Sequence, residues 1–182
     1  MQNPSGGYSI PQRAIHWIMA LLILPMIAAG FLMVQQGLPR SLQNTLFILH
    51  KNIGVLVLAL AVLRLVLRLR RPAPPLPSSL PAWQRRIAQA SHGLLYVLIF
   101  LMPLTGYIRV RAGGFPIEAL DRLGLPTLVP RSDSLATLAK LAHEAGAYAI
   151  AALLALHIAA ALYHALILRD GSFARIWPIN RP

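Results

Sequence analysis

The chain of 182 residues has no cysteine and only five acidic residues, against seventeen Lys and Arg. Without cysteine it can form no disulfide, thiolate metal site, iron–sulfur cluster or covalent C-x-x-C-H haem attachment. Charge of either sign is scarce. Charged residues make up 12% of the chain, hydrophobic residues 57%, and the mean hydropathy is +0.61. A soluble domain carries about 25% charged residues, so this composition leaves no room for a separate soluble domain and assigns most of the surface to lipid. The net charge of +12 does not indicate nucleic-acid binding. The basic residues form no single face and instead cluster at the ends of apolar segments, which is the pattern of membrane topology.

Four apolar windows are present, and about twenty residues suffice to cross a ~30 Å hydrocarbon core. They predict spans over 12–35, 45–68, 86–110 and 136–168, making one all-α, integral membrane four-helix domain over 1–182. The first window is too long for a cleaved signal peptide, and no small-x-small site follows it. Pro25 and Pro103 fall inside the first and third windows. Arg71–Trp83 is Pro-rich and reads as an extended connector. Ala112–Asp133 reads as a loop and holds three of the five acids. Ten of the seventeen basic residues fall on the side shared by the termini and the connector between spans two and three. The other seven are offset by Glu118, Asp121, Asp133 and Glu144. The positive-inside bias therefore predicts a multi-pass protein with both termini and that connector in the cytoplasm.

Ionisable residues at membrane depth are functional hypotheses by default. His143 and His157 lie fourteen residues apart on the fourth window. At ~100° and ~1.5 Å per residue they leave one face about 40° apart and are separated by roughly 21 Å along the axis. One helix can thus give a ligand to each of two stacked metal cofactors. In the predicted topology His50 is near the outer face with His143, and His16 is near the inner face with His157. Two imidazoles underfill a zinc site, whereas haem supplies four nitrogens and asks the protein for two axial ligands. His164 follows His157 by seven residues on the same face, and depth alone does not choose between them. The spacing favours His157, because His164 would stretch the separation to ~32 Å.

The segments Ile15–Trp17 (IHW), Leu49–Pro75, Ser91–Tyr107 and Ala142–Gly171 together resemble bacterial cytochrome b561 over nearly the whole chain. The resemblance implies two non-covalent haems b on His16, His50, His143 and His157, and it favours His157 over His164. It also implies electron transfer, in the best-described relatives a superoxide:quinone oxidoreductase activity that reduces ubiquinone. A cytochrome subunit serving a redox partner protein is the second reading. A non-redox four-helix membrane protein is the third.

Other residues carry bland and functional readings side by side. Lys51, Arg109 and Arg111 could form a funnel for an anion over the outer haem, and serve equally well as interface anchors. Arg64 is fourteen residues after His50 and is a candidate propionate partner, or an anchor. His92 and His164 are candidates for a quinone site or for supporting a ligand. Gly54 and Gly146 could let a porphyrin approach, or simply pack helices. Trp17, Trp83 and Trp177 fit an aromatic belt at the cytoplasmic interface.

Overall fold

A computed structural model describes residues 7–75 and 80–177. Its elements in order are α1 (Ile10–Leu32), α2 (Arg40–Arg70), α3 (Ala82–Ala112), α4 (Glu118–Arg122) and α5 (Asp133–Tyr163), which runs on into a π-helical turn at His164–Leu168. Among the described residues there is no strand. Four helices are long and apolar enough to cross a membrane, so the chain is the all-α four-helix membrane protein that its composition predicts.

The long helices overrun the apolar windows at most ends because hydropathy reports the bilayer while the backbone reports where helix can stop. Pro39 and Pro81 directly precede α2 and α3. The Ser132 hydroxyl accepts the Leu135 N–H at 3.3 Å and opens α5. Trp83 therefore stands in α3 and not in an extended connector. Residues 76–79 of that connector, and Arg181 among the basic residues counted above, lie outside the described residues. The loop at 112–133 contains the one-turn helix α4, which sequence periodicity could not reveal in five residues. The last helix ends at Arg169, whose φ of 50° is left-handed.

Few side chains are buried. Ile15, Met19, Val57, Ala61, Ile99 and Ile150 make the central cluster. Large apolar residues such as Leu21, Leu63, Val97 and Leu156 face outward, where lipid and not water would meet them. With no water in the hydrocarbon core, the backbone must satisfy its own polar groups, which helices do.

The helices pack chiefly in chain order, α1 on α2, α2 on α3 and α3 on α5. Neither α1 nor α2 packs its backbone closely along α5. This gap matters, because it is bridged by histidines. At one end of the bundle the first and last described segments meet. Tyr8 N–H donates to the Arg175 carbonyl at 3.1 Å, Trp17 Nε1–H to the Ile176 carbonyl at 2.9 Å, and the Gln12 amide to the Arg71 carbonyl at 2.7 Å. The first and last described segments therefore lie on the same side of the membrane.

Candidate functional site

Two pairs of imidazoles cross the gap to α5. His50 of α2 faces His143 with ring centroids 6.2 Å apart and planes at 79°. His16 of α1 faces His157 at 6.4 Å and 67°. A metal lying roughly 2 Å from each ligating nitrogen, with each nitrogen roughly 1 Å from its ring centre, would separate two axial imidazole centroids by about 6 Å. Both pairs have this spacing. Among the described residues no group of three or more His, Cys, Asp or Glu is arranged to hold a bare metal ion. Each facing pair therefore offers two nitrogens, which fits a haem and is fewer than zinc requires.

The His50–His143 pair, the outer one in the orientation expected from charge, lines a cavity of about 880 Å³, within the ~300–1,000 Å³ usual for cofactor pockets. Its wall is mostly apolar and includes Gly30, Gly54, Met102 and Gly106. A Cβ on Gly30 would come within 3.1 Å of His50 Cε1, and one on Gly106 within 3.2 Å of His143 Cε1. Glycine at these two positions makes room for the two imidazole rings. At Gly146 a Cβ would collide with the Met102 sulfur at 2.6 Å, so that glycine serves the packing of α5 on α3. Gly54 has only Met26 nearby, at 3.9 Å.

The inner pair has different company. His92 of α3 approaches His157 with centroids 5.7 Å apart, so three imidazoles converge there. The Arg64 and Arg68 guanidinium groups lie over the Tyr96 ring at 5.6 and 5.3 Å. Arg64 is within electrostatic range of His16, His92 and His157. His164 turns away to Asp170, with Nδ1 2.6 Å from the carboxylate. Burial alone would raise the Asp170 pKa, but the Ser172 amide and His164 hold it below the ordinary carboxylate value.

The sequence profile of prokaryotic cytochrome b561 matches residues 7–178. The chain is 31% identical over 175 residues to cytochrome b561 homolog 2 of Escherichia coli strain K12, covering 96% of this chain and 93% of that one. It is 30% identical over 173 residues to cytochrome b561 homolog 1 of the same organism, covering 94% and 97%. It is 28% identical over 174 residues to the probable superoxide oxidase CybB of Yersinia pestis, covering 96% and 97%. The chain belongs to the prokaryotic cytochrome b561 family. It is a multi-pass electron-transfer protein of the bacterial inner membrane, and its family implies b-type haem.

The outer mouth of this cytochrome differs from the bare cationic funnel read from sequence. Lys51 Nζ is 2.8 Å from Glu118 and donates to the Pro116 carbonyl at 2.7 Å. The other Glu118 oxygen accepts from the Asn52 amide at 2.8 Å. Asn52 in turn accepts the Ala119 N–H at 2.7 Å. Burial pushes the Glu118 pKa up, but the hydrogen bonds from Lys51, its own backbone and Asn52 outweigh it and leave the pKa below the ordinary value. Arg111 is buried and bound to Asp121 at 2.6 Å. That hydrogen bond keeps the Asp121 carboxyl below its ordinary range. Arg109 lines the cavity itself. Glu118 and Asp121 were invisible as partners because α4 is short and Lys51 is 67 residues from Glu118 in sequence. Thr105, Met102 and Tyr96 carry no sequence signal of their own; Thr105 and Met102 gain meaning from His143 on α5, and Tyr96 from Arg64 and Arg68 on α2.

Proposed function

We propose that the chain holds two b-type haems, one between His50 and His143 and one between His16 and His157, and carries electrons across the bilayer from superoxide to ubiquinone. The observation that carries this reading is the pair of imidazole couples, both about 6 Å across, that share α5 at two depths. Bound haem supplies a one-electron acceptor and donor at each level. The family relationship to a probable superoxide oxidase supports the choice of donor.

Superoxide gives up one electron and leaves as dioxygen, so two superoxide anions reduce one quinone, which takes up two protons. No proton-transfer group is needed at the donor site. Quinone reduction does need one, or a water path. His92, beside His157, and His164, on Asp170, are the candidates if quinone is reduced at the end of the bundle where the first and last described segments meet. We assign that end to the cytoplasm from the ten-to-seven basic bias, and the opposite mouth to the periplasm.

At the outer mouth Arg109, with Lys51 and Arg111, is the candidate attractor for the anion. Arg64 remains the candidate partner of a haem propionate. The second reading, a cytochrome subunit fed by a partner protein, draws support from the carboxylates on Lys51 and Arg111, which cancel much of the local positive field. Stopped-flow mixing of the oxidised, haem-loaded protein with superoxide separates the two. Direct transfer predicts fast haem reduction that slows with ionic strength and weakens in Arg109→Gln. No reduction by superoxide would favour the partner-subunit reading.

A further inference from the structure

The two ligands of the outer pair are held in unlike ways. His143 Nδ1 lies 3.0 Å from the Met102 carbonyl oxygen and 3.1 Å from Thr105 Oγ1. The Thr105 hydroxyl is buried and has its own best acceptor, the Leu101 carbonyl at 2.8 Å, with Met102 at 3.0 Å. A hydroxyl has one proton. Donating it to Leu101 turns an oxygen lone pair toward His143, so Nδ1–H of His143 is shared between two acceptors on α3. His50 has no such arrangement. Its Nδ1 is buried and, among the described residues, has no partner within hydrogen-bond distance, the Met26 main chain being a polar neighbour of the ring. The ring is held instead by fit against Gly30.

Resting on the assignment of both residues as ligands, we propose that Thr105 is a positioning residue. With the Met102 carbonyl it fixes His143 in the Nδ1–H tautomer, aims Nε2 into the outer cavity, and makes His143 the more electron-rich of two unequal axial ligands. The physical reason is general. A ligating imidazole whose second nitrogen donates to an acceptor has its tautomer and ring angle fixed and becomes more basic. A more basic ligand favours the oxidised metal. The consequence is confined to one haem, because among the described residues neither His16 nor His157 has a side-chain or main-chain acceptor shown at its second nitrogen.

Haem-loaded Thr105→Val, Thr105→Ser and His143→Ala, each purified whole, test this by redox titration and low-spin electron paramagnetic resonance. The His143→Ala protein identifies which signal belongs to the outer haem. Thr105→Val should keep both haems but, at a fixed ambient potential near the midpoint, lower the oxidised-to-reduced ratio of the outer haem severalfold. A tenfold change would be about 59 mV for a one-electron couple. Its resonance should shift, the inner signal should stay, and Thr105→Ser should restore the original values. If Thr105→Val leaves the outer signal and ratio unchanged, or moves both haems equally, the positioning role is wrong while the ligand assignment stands. If His143→Ala retains both haems, the assignment beneath it is wrong.

Discussion

The outer and inner histidine pairs share one helix and one spacing, yet their surroundings are opposite. The outer pair stands in an apolar cavity, its rings seated against Gly30 and Gly106 and one ring fixed from α3. Two of the cations there are paired, Lys51 with Glu118 and Arg111 with Asp121, while Arg109 lines the cavity itself. The inner pair is crowded by polar groups, with a third imidazole from His92 and two guanidinium groups stacked on Tyr96. The difference teaches that α5 sets where the two pairs lie, while α1 to α4 decide what each pair meets. A group that must be shielded and tuned suits the first setting. A site that handles protons and anionic substituents suits the second.

The largest expected effect breaks the symmetry of the ladder itself. His143→Ala and His50→Ala should each remove one haem, and His16→Ala and His157→Ala should each remove the other, because a missing axial nitrogen opens the site. Optical spectra of the four purified variants should fall into two classes. Four unlike spectra, or retention of both haems in any of them, would break the pairing. His92→Ala and His164→Ala should retain both. Loss of a haem in His92→Ala would mean that the third imidazole, and not His16, completes the inner pair.

A smaller effect sharpens the contrast in packing. Gly30→Ala places a methyl 3.1 Å from His50 Cε1, whereas a Cβ on Gly93, in α3, meets nothing within 4 Å. Gly30→Ala should weaken retention of the outer haem by about tenfold, in line with substitutions behind metal ligands, and leave the inner haem alone. Gly93→Ala should change neither. Haem release to an external acceptor protein, followed optically, measures both. Equal behaviour of the two variants would remove the claim that ring seating at the outer site depends on glycine.

How much of this was legible in the sequence follows from what each feature depends on. The four spans and the shared face of His143 and His157 depend on local periodicity, and the chain displays them openly. The pairing of His50 and His16 with them needed only topology and depth. Three features depended on contacts across the fold, and no spacing records those. One is the Glu118 clasp on Lys51 and Asn52. Another is the approach of His92 to His157. The third is the hydrogen bonding of His143 to Met102 and Thr105. Helices α2 and α3 begin ahead of their apolar windows, at Arg40 and Ala82, because Pro39 and Pro81, and not the end of apolar sequence, mark the starts. Ser132, ahead of Asp133, was a readable start signal for α5.

A still smaller effect concerns the rim. Glu118→Gln keeps hydrogen-bonding capacity but frees the Lys51 charge. If superoxide enters there, the rate of outer-haem reduction should rise severalfold and become more sensitive to salt. An unchanged rate and salt slope would mean that Lys51 plays no part in attracting the donor. The same pair sets a pH expectation. The Glu118 pKa is lower folded than its ordinary value, so the clasp stabilises the fold above the usual glutamate range, near pH 4, and that contribution is lost as pH falls through the lowered folded value. Thermal unfolding in detergent should therefore lose part of its acid sensitivity in Glu118→Gln. Identical acid profiles for the two proteins would count against the clasp.

The central claim is that one four-helix chain holds two bis-histidine haems at two depths. Haem content per polypeptide, measured with low-spin resonance on the same purified sample, tests it most directly. The account predicts two haems per chain, both low-spin when oxidised. One haem, none, or a high-spin signal from an intact preparation would contradict it.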